Sequence, residues 1–147
     1  MKRFFALCVL MLLVGCTTQK KYLNFDYSYS RSGGIAPIYE NLWIKGNNAH
    51  YAFESQGTKI KKDFKLTAAE LKSIETALEA NNFRIIREDY KKLYDYVRTT
   101  IVVKKGDQSG SKSDASFIME PDKERWENVV MVFRSIIDNK AKNSSSH

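Results

Sequence analysis

The chain has 147 residues, 43% of them hydrophobic, with 24 Lys and Arg against 17 Asp and Glu for a formal charge of +7. That length suits one domain, large enough to bury roughly two-thirds of its unfolded surface, and is short for two. The only cysteines, Cys8 and Cys16, both lie near the N-terminus, which excludes a disulfide-stapled body and leaves its stability to packing.

Lys2 and Arg3 precede the apolar run Phe4 to Val14. The run is too short to cross a ~30 Å hydrocarbon core, which takes ~20 apolar residues, and fits the apolar stretch of an export signal. It ends in Leu13-Val14-Gly15-Cys16. This resembles the bacterial lipobox, in which the Cys thiol receives diacylglycerol and the chain is cut just before it. The resemblance implies a signal peptide at 1–15, lipidation of Cys16, and a mature chain starting there. Acyl chains are durable anchors, because each buried CH₂ adds ~0.8 kcal/mol. Thr17 follows where an Asp would imply retention at the inner membrane, so the resemblance implies the outer membrane. Loss of Lys2 and Arg3 lowers the charge from +7 to +5, mildly basic. That favours anionic lipid head groups or wall polymers, while an exported, anchored chain does not routinely meet nucleic acid.

After a polar tether at 16–21, Leu23, Phe25, Tyr27 and Tyr29 alternate with polar residues, predicting a first strand over 23–30. Ser32-Gly33-Gly34 and Pro37 break it. Ile38 to Lys45 predicts a second strand, Gly46-Asn47-Asn48 a turn, Ala49 to Gln56 a third strand, Gly57 a turn, and Lys59 to Lys65 a fourth. Thr67 with Glu70 forms a capping box, and Leu66 with Leu71 a hydrophobic staple. A helix follows, with Leu71, Ile74 and Leu78 on one face and Asn81-Asn82 at its end. Phe83 to Arg87 reads as extended, and Glu88 to Asp95 as a loop or a single turn. Val97 to Lys104 predicts a strand, Gly106 to Asp114 a polar loop, and Ala115 to Met119 a returning strand. Pro121 opens a second helix, with an apolar stripe at Trp126, Val129, Val130, Phe133, Ile136 and Ile137. Residues 140–147 read as a disordered polar tail. Short turns force antiparallel pairing. The expectation is therefore one α+β domain over 22–139, an antiparallel sheet of about five to six strands with two helices packed on it.

The search for chemistry returns little. His50, beside a turn and expected to be solvated, is the only histidine before the tail, and Cys is absent from the body, so no nucleophile–base set stands out. No cluster of His and Cys suggests a metal, and no motif suggests a small-molecule cofactor. Asp26, Glu40, Glu54, Glu88, Asp89 and Asp95 are acid–base candidates by type only. Glu88 and Asp89 with Tyr90, Tyr94, Asp95 and Tyr96 form the densest group. The Gly106 to Ser113 stretch fails as a phosphate loop, since Ser111 rather than Gly precedes Lys112. Lys59, Lys61 and Lys65 read as an edge strand that discourages aggregation. Arg31-Ser32-Gly33-Gly34-Ile35-Ala36-Pro37 is a possible binding loop, because paired glycines allow close backbone approach.

A strand, Ser32-Gly33-Gly34, a strand, a capped helix and a closing helix together resemble small uncharacterised bacterial lipoproteins. Ser32-Gly33-Gly34 after the first strand is also similar to emfourin-type inhibitors of thermolysin-like metallopeptidases, over residues 25–85. Ile35-Ala36-Pro37 departs from the aromatic and Gly that usually follow there. These readings imply a non-enzymatic, lipid-anchored envelope protein. Its membrane contact is the acylated Cys16, and its other partner is an envelope protein or an anionic wall polymer. The inhibitor resemblance implies the alternative, a metallopeptidase inhibitor acting through 31–37.

Overall fold

A computed structural model describes residues 23–91 and 96–143. Four strands form a meander: β1 (Tyr27–Gly33), β2 (Ile38–Lys45), β3 (Asn48–Ser55) and β4 (Thr58–Lys65). Helix α1 (Ala68–Ala80) then carries the chain back across the sheet, and β5 (Val97–Val103) pairs with β1 on its free side. The short edge strand β6 (Gly110–Ser113) follows, then α2 (Lys123–Ile136), which runs on as a π-helix over Ile137–Lys142. All pairings are antiparallel, in the order β4-β3-β2-β1-β5-β6. The domain is thus α+β, as expected.

Local chemistry accounts for these elements. Gln56 and Gly57 both take positive φ, the requirement of a two-residue hairpin turn whose twist suits the flanking strands. Thr67 and Glu70 satisfy each other's backbone N–H groups at the start of α1, at 3.1 and 2.7 Å, and Leu66 beneath the cap is buried. Period-two alternation puts Tyr27, Tyr29, Leu42, Ile44, Tyr51, Ile101 and Val103 on one face. There they meet the predicted stripe of α2, whose Trp126, Val129, Val130, Phe133, Ile136 and Ile137 are all buried, with Phe133 stacked on Tyr29 at 5.8 Å. Both helices cover this face. The Lys-bearing strand β4 is an edge, with Lys59, Lys61 and Lys65 exposed.

Several expectations need correction. The first strand starts at Tyr27, and Leu23 is exposed, its carbonyl accepting from the Lys104 ammonium while that ammonium lies over the Phe25 ring. The same strand continues through Gly33, which pairs with both Ile38 and Val97. Phe83–Ile85 is a 3₁₀ turn, not extended, because the left-handed Asn82 tightens the chain after α1. The strand returning to β5 is Gly110–Ser113, inside the stretch read as a loop, while Ala115 to Met119 makes only one bridge, between Ile118 and Glu88. An edge strand pairs through its backbone and needs no apolar side chains. Residues 140–142 continue the C-terminal helix, and Ala141 is buried, so these residues are not a disordered tail.

Candidate functional site

Cys16, Tyr94, Asp95 and His147 lie outside the described residues. The hairpin tip does not. Gly33 and Gly34 have φ of +109° and +90°. A Cβ on Gly33 would stand 2.7 Å from the Tyr96 carbonyl oxygen, and one on Gly34 would stand 3.0 Å from a Val97 methyl. The glycine pair is therefore required for the tip to lie against the start of β5. Ile35, beyond it, is 92% exposed, and Ala36 and Pro37 are exposed too.

The seven residues of the proposed loop do not act as one surface. Arg31 belongs to β1, in the inward phase of Tyr27 and Tyr29, and its Nη1 donates to the Glu40 Oε2 at 3.1 Å. Ser32, which alternates to the outer face, accepts from the Arg98 Nε at 3.2 Å. Of the seven, Ile35, Ala36 and Pro37 project.

Tyr96 connects the tip to the rest of the surface. Half exposed, it lines a small cleft with Ser32, Gly33, Tyr39, Arg98 and Ala115, and also a groove of about 750 Å³ between the 114–118 segment and α2. Exposed Phe117 and Met131 border that groove, over buried Trp126, Ile118 and Val130.

Carboxylates brace its walls. Asp114 accepts from the Thr99 amide at 2.5 Å and from the Trp126 indole at 3.4 Å; burial nevertheless pushes its carboxyl above its ordinary value. Asp122 is fully buried and accepts from the Arg87 amide and Nε at 3.0 and 2.8 Å, and from Arg125. The Arg87 side-chain hydrogen bond outweighs burial and holds Asp122 below its ordinary value. Glu88 accepts from the Ser113 amide. The segment is further tied by backbone bonds from Asp89 to Phe117 and from Met119 to Arg87, at 2.7 and 2.9 Å.

The remaining candidates have structural partners. Asp26 accepts from the Gly46 amide and Lys45, each at 2.8 Å; Glu54 pairs with Lys59 and Asp89 with Lys91. His50 is not solvated: it stacks on Trp43 at 5.7 Å, its Nδ1 is 2.5 Å from Asp63, and its side chain is 19% exposed. Among the described residues, no three His, Cys, Asp or Glu side chains are grouped to hold a metal ion, and no helix is long and apolar enough to cross a membrane.

Sequence reasoning missed a second group. Glu40, 2% exposed, sits in the apolar phase of β2 between Ile38 and Leu42. Its Oε1 accepts from the Tyr51 hydroxyl at 2.9 Å, and Lys142 on the π-helix reaches within 3.8 Å. Burial, and then the Glu40 charge, push the Tyr51 hydroxyl well up. Arg134, in the last turn of α2, donates from Nε to the Tyr29 hydroxyl at 3.3 Å. The readable signal was a charge in the inward phase of each of two adjacent strands, Arg31 opposite Glu40.

In comparisons with known proteins, no family model and no curated protein matches the chain.

Proposed function

We propose that the protein is a lipid-anchored protein of the bacterial envelope whose α+β domain binds another protein and breaks no bonds itself. The anchor reading rests on the Leu13-Val14-Gly15-Cys16 run. The binding reading rests on Tyr96, which joins two clefts into one surface bordered by exposed Tyr39, Phe117 and Met131. Aromatic residues and Met are enriched in protein interfaces, and exposed apolar residues gathered at clefts mark such sites.

For the anchor, Cys16→Ser is expected to release the protein from the membrane fraction and to abolish lipid labelling. A variant that stays bound and labelled contradicts it. For the binding surface, a photo-crosslinking residue at Tyr39 or Phe117 of the anchored protein is expected to yield the same discrete adduct, absent when the crosslinker replaces Lys61 on the far edge strand. Identical adducts from all three positions contradict it.

The 92% exposure of Ile35, on a tip braced by two glycines, favours one second reading, insertion into a metallopeptidase cleft. Titration of a thermolysin-like peptidase decides it. Loss of activity that Ile35→Asp abolishes supports inhibition, and full activity at micromolar protein removes it.

A further inference from the structure

Beneath the π-helix a cleft of about 140 Å³ is lined by Arg31, Glu40, Arg134, Ile137, Asp138 and Lys142. Three cations face two carboxylates. Both Glu40 oxygens are engaged, by Arg31 and by Tyr51, and Asp138 is held by Lys142 at 3.0 Å. The cations keep donors in reserve. The Nε of Arg31 is shielded from solvent and has no hydrogen-bond partner among the described residues. Arg134 uses Nε on Tyr29, and its two Nη groups take no acceptor among those residues. A buried N–H without an acceptor is costly, and native proteins rarely leave one.

We propose that this cleft binds a phosphate-type oxyanion, either the free ion or a lipid head group. Two guanidinium forks and an ammonium converge from β1, α2 and the π-helix, and forks of this kind recognise planar and tetrahedral oxyanions through paired N–H donors. The volume admits a compact oxyanion and excludes a polymer segment. Lys142 is half exposed, so the cleft is open to entry. π-Helical turns are rare and recur at functional sites, and here the turn sets both Asp138 and Lys142 at the cleft. The cleft shares Arg134 with the groove of the binding surface, but the oxyanion reading does not rest on that surface.

The test is a titration of the detergent-solubilised full chain with inorganic phosphate at constant ionic strength, following the Arg31 Nε–H resonance by NMR. The expected result is a saturable shift of that resonance. Lys142→Gln, at a half-exposed position, is expected to weaken the affinity about tenfold, the loss of one charge-assisted contact. Lys61→Gln is expected to change nothing. Vesicles of phosphatidylglycerol, compared with phosphatidylcholine, separate the two sources. Competition by the anionic vesicles assigns a head group, and its absence alongside phosphate binding assigns the free ion. An Arg31 resonance that does not move, or a titration that Lys142→Gln leaves unchanged, overturns the site.

Discussion

The β1–β4 meander and the segment from Ile86 to Asp122 are held by different physics. The meander is held by regular ladders and by one apolar face pressed against two helices. The described part of the later segment contains one seven-residue strand, one four-residue strand and scattered backbone ties, and it is fixed by carboxylates that accept backbone N–H groups: Glu88 from Ser113, Asp114 from Thr99, and Asp122 from Arg87. Ladders and apolar burial do not themselves titrate. The carboxylate braces respond to ionisation in opposite senses, Asp122 favoured charged and Asp114 neutral, and they hold the wall carrying Tyr96 and Phe117. The scaffold of the proposed binding surface is therefore robust on one side and charge-dependent on the other.

Mutations can break this contrast. Leu42→Ala, at a fully buried position in the meander, is expected to cost about 4 kcal/mol at every pH, measured by urea unfolding. Asp122→Ala is expected to cost about 3 kcal/mol at neutral pH, because it removes charge-assisted hydrogen bonds from a fully buried acceptor. Its penalty depends on pH with a definite sign. Asp122 is held below its ordinary value when folded, so its stabilisation is present above the unfolded pKa and is lost as pH falls through the folded one. The cost of Asp122→Ala should shrink below about pH 4, while that of Leu42→Ala should not. Equal pH profiles for the two variants would erase the distinction.

Gly33→Ala lies at the joint between the two regions. The added methyl meets the Tyr96 carbonyl in a backbone conformation suited to glycine, and a cost of about 2 kcal/mol is expected in the same assay. Asp114→Asn sharpens the contrast from the opposite direction. Burial raises the Asp114 carboxyl, so the stability that it contributes is fully present below its unfolded pKa and is lost as pH rises through the folded one. The neutral variant should gain on the wild type as pH is taken from acid to neutral. Lys61→Glu, on the exposed edge of the meander, should change stability by less than about 0.5 kcal/mol.

The same difference explains what could be read from the sequence. Period-two alternation, two-residue turns and a capping box each have a local signature, so β2, β3, β4 and α1 were legible nearly to the residue. The α2 stripe was legible for the same reason. The strand β6 was not, because an edge strand of Gly, Ser and Lys has no hydrophobic period to detect. Nor were the braces, since Asp122 reaches Arg87 across 35 positions, and such pairs leave no local trace. Arg31 and Glu40 are intermediate: each interrupts an apolar phase, and reading the two strands as paired would have brought them together. Of the acidic and tyrosine-rich stretch from Glu88 to Tyr96, Tyr96 lines the groove, and no other of its described residues does.

Hydrogen exchange of individual amides across an acid titration tests the two-region account most directly. The Arg87 amide should lose protection as its acceptor Asp122 protonates, while those of Leu42, Ile44 and Tyr51 remain protected to lower pH. Loss of protection at all four in one common transition would contradict it.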